Sequence, residues 1–321
     1  MYKNAFKFAA AALLLGTSFL VTSCDKSSEV VEKPELKGIE FSVKPMELRE
    51  WKAAGRITRA TAKSEFERDI NLTAGDMLYV EGIQYDENHN PIGNCLSNMY
   101  MPEGAGGKSA PFSGDVYAPE GTTLDDFEDI TYYLVGVNDK RVKLLDVEGV
   151  DVKAIELPLG DNHIVSSFTE AIEKYSEIGF LAPKFTNEVK LQQNNSYFVF
   201  KVHFPVPGTF ADIADIKVTF VRPDGTSQVV TTEENPTGFT LDDEEFLTVV
   251  APCEIEDETE QIVDLRLMLN FKNGKNAEMG LRSQTEEGNT VEHGEVYVLE
   301  FEYNPGHSTS KYEGEENNPW E

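Results

Sequence analysis

The sequence predicts an all-β fold, mainly antiparallel: two tandem β-sandwich domains with one or two short helices. Three observations carry this. Apolar residues recur at every second position over several segments, the period of half-buried strands. Turn residues punctuate those segments, as at Pro223-Asp224-Gly225 and Asn273-Gly274. The chain of 321 residues, less an exported leader, is the length of two ordinary domains.

Taken in order, the chain opens on a secretory pattern. Lys3 and Lys7 precede the apolar run Phe8–Leu15 and a second patch, Phe19-Leu20-Val21. The run is too short for a membrane span of about 20 residues. It ends in Leu20-Val21-Thr22-Ser23-Cys24, an apolar and two small residues before a cysteine. That box resembles a bacterial lipoprotein signal, with residues 1–23 as signal peptide and Cys24 as the lipidated N-terminus. Each buried acyl methylene would contribute about 0.8 kcal/mol to membrane binding. The polar residues after Cys24 form a tether. Residues 24–59 are read as tether plus leader strand, a candidate propeptide. In that strand Ile39, Phe41 and Val43 alternate with Glu40, Ser42 and Lys44 between Pro34 and Pro45. Prolines bracket edge strands in this way. A basic patch follows in an otherwise acidic chain: Arg49, Lys52, Arg56, Arg59 and Lys63. With Ala53, Ala54 and Gly55 it suggests an exposed loop, where proteolytic nicking concentrates.

Residues 60–190 are assigned to an N-terminal sandwich and 191–321 to a C-terminal sandwich with an acidic tail. Met77–Val80 reads as a strand, Tyr85–Pro91 as a turn and 102–115, rich in Gly, Pro and Ser, as a loop. Thr131–Val137, aromatic and β-branched, is a strong strand signal. One helix is credible. Ser167-Phe168-Thr169-Glu170 fits a capping box, and Phe168, Ala171, Ile172 and Tyr175 share a helical face. Polar residues around 184–195 mark the domain boundary. Beyond it the alternation is clear. Phe198, Phe200, Val202 and Phe204 form one row. Ile216, Val218 and Phe220 form another, and a hairpin turn at Pro223-Asp224-Gly225 leads on to Gln228-Val229-Val230. Val263, Leu265, Leu267, Leu269 and Phe271 precede Asn273-Gly274. The last row is Tyr297, Leu299, Phe301 and Tyr303.

The lipobox, the short leader strand, Arg56-Ile57-Thr58-Arg59-Ala60-Thr61, Leu72-Thr73-Ala74-Gly75-Asp76 and the late Gly294-Glu295-Val296-Tyr297 strand together resemble the fimbrillin family. These are type V pilus proteins of anaerobic Gram-negative gut and oral bacteria. The resemblance implies two transthyretin-like sandwiches in tandem and an outer-membrane, cell-surface location in a fimbrium. It also implies cleavage by an arginine-specific protease, between Arg59 and Ala60 or, as second choice, after Arg56. Loss of the leader strand would open a groove that a strand of another pilus subunit fills. The tail, residues 304–321, departs from the family pattern because it lacks a long alternating strand. Either residues 296–303 donate the inserted strand, or the subunit sits at a pilus end as tip or anchor.

Composition excludes some classes. The chain carries 28 Lys and Arg against 57 Asp and Glu, a net charge of −29. Without the two lysines of residues 1–24 the balance is near −31. Such a surface does not bind nucleic acid phosphates. Gly107-Lys108-Ser109 imitates a phosphate loop, yet Pro102 stands where its first glycine belongs. Asp86, Asn88 and Asn90 imitate a calcium loop, yet Pro91 and Ser97 occupy its glycine and bidentate positions. The acidic runs 242–245 and 254–260 read as solvated loops. His89, His163, His203, His293 and His307 lack metal-ligand spacing. No Gly-x-Ser-x-Gly elbow occurs. No catalytic residue, metal or cofactor is expected. With Cys24 acylated, Cys95 and Cys253 are either a disulfide or two buried thiols. A different reading keeps the anchor and sandwiches but omits cleavage: a lipid-anchored glycan-binding protein, with Tyr132 and Tyr133 as candidate sugar platforms.

Overall fold

In the computed structural model the described residues run from 35 to 303, apart from 54–55, 58–65, 67–68, 137–141, 148–149, 156–161, 176, 205–212, 234–238, 256–258, 273 and 275. The strands are β1 (Glu35–Val43), β2 (Glu47–Arg49), β3 (Lys52–Ala53), β4 (Arg56–Ile57), β5 (Met77–Tyr85), β6 (Pro91–Tyr100), β7 (Ser109–Tyr117), β8 (Glu128–Val135), β9 (Val142–Val147), β10 (Val150–Ile155) and β11 (His163–Ile164). After helix α1 (Phe168–Tyr175) come β12 (Ile178–Ala182), β13 (Glu188–Gln193), β14 (Asn195–His203), β15 (Ile213–Val221), β16 (Ser227–Thr232), β17 (Phe246–Glu254), β18 (Thr259–Ile262), β19 (Asp264–Phe271), β20 (Asn276–Arg282), β21 (Asn289–Glu292) and β22 (Glu295–Glu302). Among the described residues a 3-10 turn, Leu124–Asp126, follows Thr123. The all-β class therefore holds.

The chain divides into two compact units, each built from separated stretches. The first takes residues up to Val43, then Ile70–Leu159 and Ile178–Leu191. The second takes Lys44–Asp69, Gly160–Glu177 and the residues from Gln192 onward. The leader thus supplies a strand to each unit.

In the first unit seven strands close into a barrel in the order β1-β13-β12-β8-β5-β6-β7. Its interior holds Phe41, Leu78, Val80, Met99, Phe112, Ile130 and Tyr132. The alternate residues of β5 are buried as well. Met77 and Tyr79 pack with Tyr133, Val152 and Ile155 beneath the β9–β10 hairpin. A strand covered on both faces loses the apolar–polar alternation that marks a half-buried one; Met77–Val80, read as a strand, is the buried first half of β5. The stretch 102–115, expected as loop, holds most of β7, which runs on to Tyr117. Ala110, Phe112 and Val116 face inward, but Pro111 and Gly114 disguise the pattern. Gly114 is there for space: a Cβ would lie 2.3 Å from the Asn98 carbonyl oxygen. Likewise β13 lies inside the polar stretch read as a boundary, with Val189 and Leu191 turned inward.

The second unit packs a five-stranded sheet, β11-β16-β15-β19-β20, against a four-stranded one, β17-β14-β22-β2. Val218, Phe220, Leu265, Leu267 and Leu269 from the first meet Phe198, Phe200, Leu247, Val249 and Leu299 from the second in one buried cluster. β14 is central, antiparallel to β17 and parallel to β22. Its other face is covered too, with the Phe168 ring of α1 edge-on to Tyr197 at 5.7 Å. The expected helix forms where its cap was read. The Glu170 amide donates to Ser167 Oγ at 3.2 Å. The Glu170 carboxylate accepts from the Ser166 amide and hydroxyl instead of closing on Ser167.

Candidate functional site

The leader segment is the feature the fold sets apart. β1 is an interior strand, not the edge strand its flanking prolines suggested. It runs antiparallel to β7 and parallel to β13, so Phe41 faces Ala110 on one side and Val189 on the other. Pro45 falls beyond its end, where no ladder amide is needed. Leu36, Ile39, Phe41 and Val43 are all buried, and Phe41 has no exposed surface. Its ring stands edge-on to Phe112 at 5.3 Å and Tyr132 at 5.5 Å. Between Leu36 and Ile39 the register shifts at Gly38, whose φ of +58° suits glycine. The Gly38 amide donates to Ser113 Oγ at 2.8 Å, so the irregular point is satisfied.

The rest of the leader completes the second unit. Met46 is buried, and β2 adds to β22 in parallel, pairing Glu47 with Glu295 and Arg49 with Tyr297. Trp51 is 1% exposed, with its ring edge-on to Phe198 at 5.7 Å and Tyr297 at 5.8 Å. Lys52 exchanges two 3.1 Å backbone bonds with the Asn289 side chain. Lys44 Nζ lies 3.1 Å from a Glu292 carboxylate oxygen.

One buried carboxylate sits under this segment. Glu295, 5% exposed, receives Arg49 Nε at 2.8 Å on one oxygen. The other oxygen accepts the Tyr297 hydroxyl at 2.6 Å and the Glu292 amide at 2.9 Å. Burial, and then the hydrogen bond to Glu295, push the Tyr297 hydroxyl well above the ordinary range. The cluster is a charge-satisfied knot closed from outside by Arg49, which also pairs with exposed Glu47.

Sequence reasoning singled out Ile39, Phe41 and Val43 but missed Met46, Trp51 and the Arg49–Glu295 pair. Arg49 and Lys52 were read only as part of a protease-accessible patch. The available signal was Trp51, one of two tryptophans in the chain and set among charged residues. Arg56 lies in β4, paired through Ala53 with β3. Cys24, Arg59, Ala60 and the tail 304–321 lie outside the described residues.

The imitation motifs resolve as turns. Asp86 Oδ1 accepts the amides of Asn88 and Asn90, both at 2.8 Å, in the β5–β6 turn. Gly107 bridges Leu72 through the backbone. Tyr132 and Tyr133 are buried in the first unit and offer no sugar platform. Cys95 and Cys253 are free, buried thiols, so the disulfide alternative is corrected. Among the described residues no group of three His, Cys, Asp or Glu converges on a metal-sized site, and no helix is long and apolar enough to cross a membrane.

No protein-family model matches the chain, and no curated protein does. Similar solved structures include a candidate cell adhesion protein from Bacteroides fragilis, 10% identical, covering 82% of this chain and 92% of that one at a TM-score of 0.30. A candidate adhesin from Bacteroides ovatus is 10% identical over 89% of this chain and 98% of that one, also at 0.30. A candidate cell adhesion protein from Bacteroides uniformis is 13% identical over 73% and 88%, at 0.26. Overlaps this low transfer no property to the chain.

Proposed function

We propose that this chain is a cell-surface adhesion protein, a structural or accessory subunit of a pilus that assembles by strand exchange. It is exported as a lipoprotein, held on the outer membrane through Cys24, and cut by an arginine-specific protease after Arg59, with Arg56 as second choice. No catalysis and no cofactor enter. The observation that supports this reading is the position of β1: a strand from the start of the chain, laddered on both sides and sealing the barrel. Burying Ile39, Phe41 and Val43 contributes on the order of 5–9 kcal/mol. Removing the leader would expose that apolar lining and two rows of unpaired backbone groups. A strand from a partner subunit restores both by β-augmentation. The free energy locking subunits together comes from burial and ladder bonds.

β22 lies between β14 and β2, committed to its own unit. That placement favours a subunit at a pilus end, tip or anchor, over one that donates residues 296–303. The test is the Arg56→Ala, Arg59→Ala double variant expressed with its pilus partners. Residues 24–59 should remain on the mature protein, and high-molecular-weight assemblies should be lost. Unchanged assembly overturns the reading.

A further inference from the structure

We propose that the strand replacing β2 is selected by charge. It brings an arginine or lysine to Glu295 and, two residues later, a large apolar side chain to the place of Trp51. This rests on the strand-exchange reading and names the partner's chemistry.

The argument starts from Glu295. Its carboxylate is anchored from within by the Tyr297 hydroxyl and the Glu292 amide, which come from its own unit and stay when the leader goes. The cation does not stay: Arg49 belongs to β2. Excision of the leader therefore leaves a carboxylate that any new strand must cover again. Covering it with an apolar residue buries an unpaired charge, and covering it with an acid adds repulsion. A guanidinium or ammonium at the same register satisfies it. Lys44 pairs with Glu292 and leaves with the leader as Arg49 does, while Glu47 pairs with Arg49 in β2. The position two residues on is equally defined, because Phe198 and Tyr297 hold the Trp51 ring edge-on.

The same rule disfavours this chain's own tail as occupant in a second copy. Residues 304–321 contain one lysine, Lys311, followed two residues later by Glu313, and they also carry Glu315, Glu316 and Glu321. The occupant is a partner strand with a basic residue and, two positions on, a large apolar one, as Arg49 and Trp51 stand in the leader.

The test uses the protein with a sequence-specific protease site in place of residues 59–64, folded and then cut, so that the leader is held only by contacts. Labelled peptides of residues 35–53 are exchanged into it, with the native sequence, Arg49→Met or Arg49→Glu. The native peptide should enter at concentrations about tenfold lower than Arg49→Met, and Arg49→Glu should do worse than either. In a Glu295→Gln protein the preference for arginine should vanish. Equal entry of native and Arg49→Met peptides into the unmutated protein overturns the charge rule and leaves strand exchange standing. So does an arginine preference that survives in Glu295→Gln. If no peptide enters, native included, strand exchange itself fails and the charge rule with it. The peptide series on the unmutated protein decides the matter even if Glu295→Gln does not fold.

Discussion

Phe41 touches the interior of the barrel from β1, a strand the mature protein is proposed to lose. Truncating it leaves a cavity beside Phe112 and Tyr132. Phe41→Ala should cost about 3–5 kcal/mol and show as faster hydrogen exchange along β7 and β13. The thiols make a separate prediction. Burial pushes the Cys95 thiol up to about 12 and raises that of Cys253 as well. Both should resist alkylation at mildly alkaline pH while folded and react in denaturant, read by mass spectrometry. Glu81 contributes a pH dependence of stability. Burial raises its carboxyl above the ordinary 4.5, against the lowering effect of hydrogen bonds from Asn94 and Tyr79. A carboxyl raised on folding contributes stability when protonated. That contribution is full below the unfolded value and is lost as pH rises through the folded one. Glu81→Gln should therefore stabilise the protein at neutral pH, and the gain should shrink toward acid in a series of urea midpoints.

At the scale of the element, β7 shows what the sequence concealed. Rows such as Phe198–Phe204 and Tyr297–Tyr303 were legible because one apolar set recurs at every second position and ends in a turn. The capped helix was legible because Ser167 and Glu170 bond locally. β7 was hidden because its neighbours set its residues: Gly114 is required by the Asn98 carbonyl, which no local rule reveals. Gly114→Ala should force β6 and β7 apart, lowering stability by about 1–3 kcal/mol and loosening the β1 amides in hydrogen exchange. β13 was hidden by its amides. Gln193 donates to the Tyr197 hydroxyl at 3.2 Å, and just beyond, at the start of β14, Asn195 donates to the Tyr175 carbonyl at 3.2 Å, so residues that read as linker are buried. The leader was half legible. Alternation exposed β1, whereas β2 is short, and Arg49 owes its place to Glu295, a residue distant in sequence.

Across the whole molecule, the leader's parallel partners are distant from it in sequence. β1 lies parallel to β13, and β2 lies parallel to β22, with Glu47 opposite Glu295. Pairings of such long separation make folding slow, and refolding from denaturant should fall in the millisecond-to-second range or slower by stopped-flow fluorescence of Trp51. There is also a consequence for timing in the cell. The seat of β2 does not exist until β22 has been made, whereas the neighbours of β1 are complete once β13 is present. During synthesis β2 therefore stays unmoored until Glu295–Glu302 has emerged. A product truncated before β22 leaves β2, and Arg49 with it, without a seat, while the partners of β1 are already present.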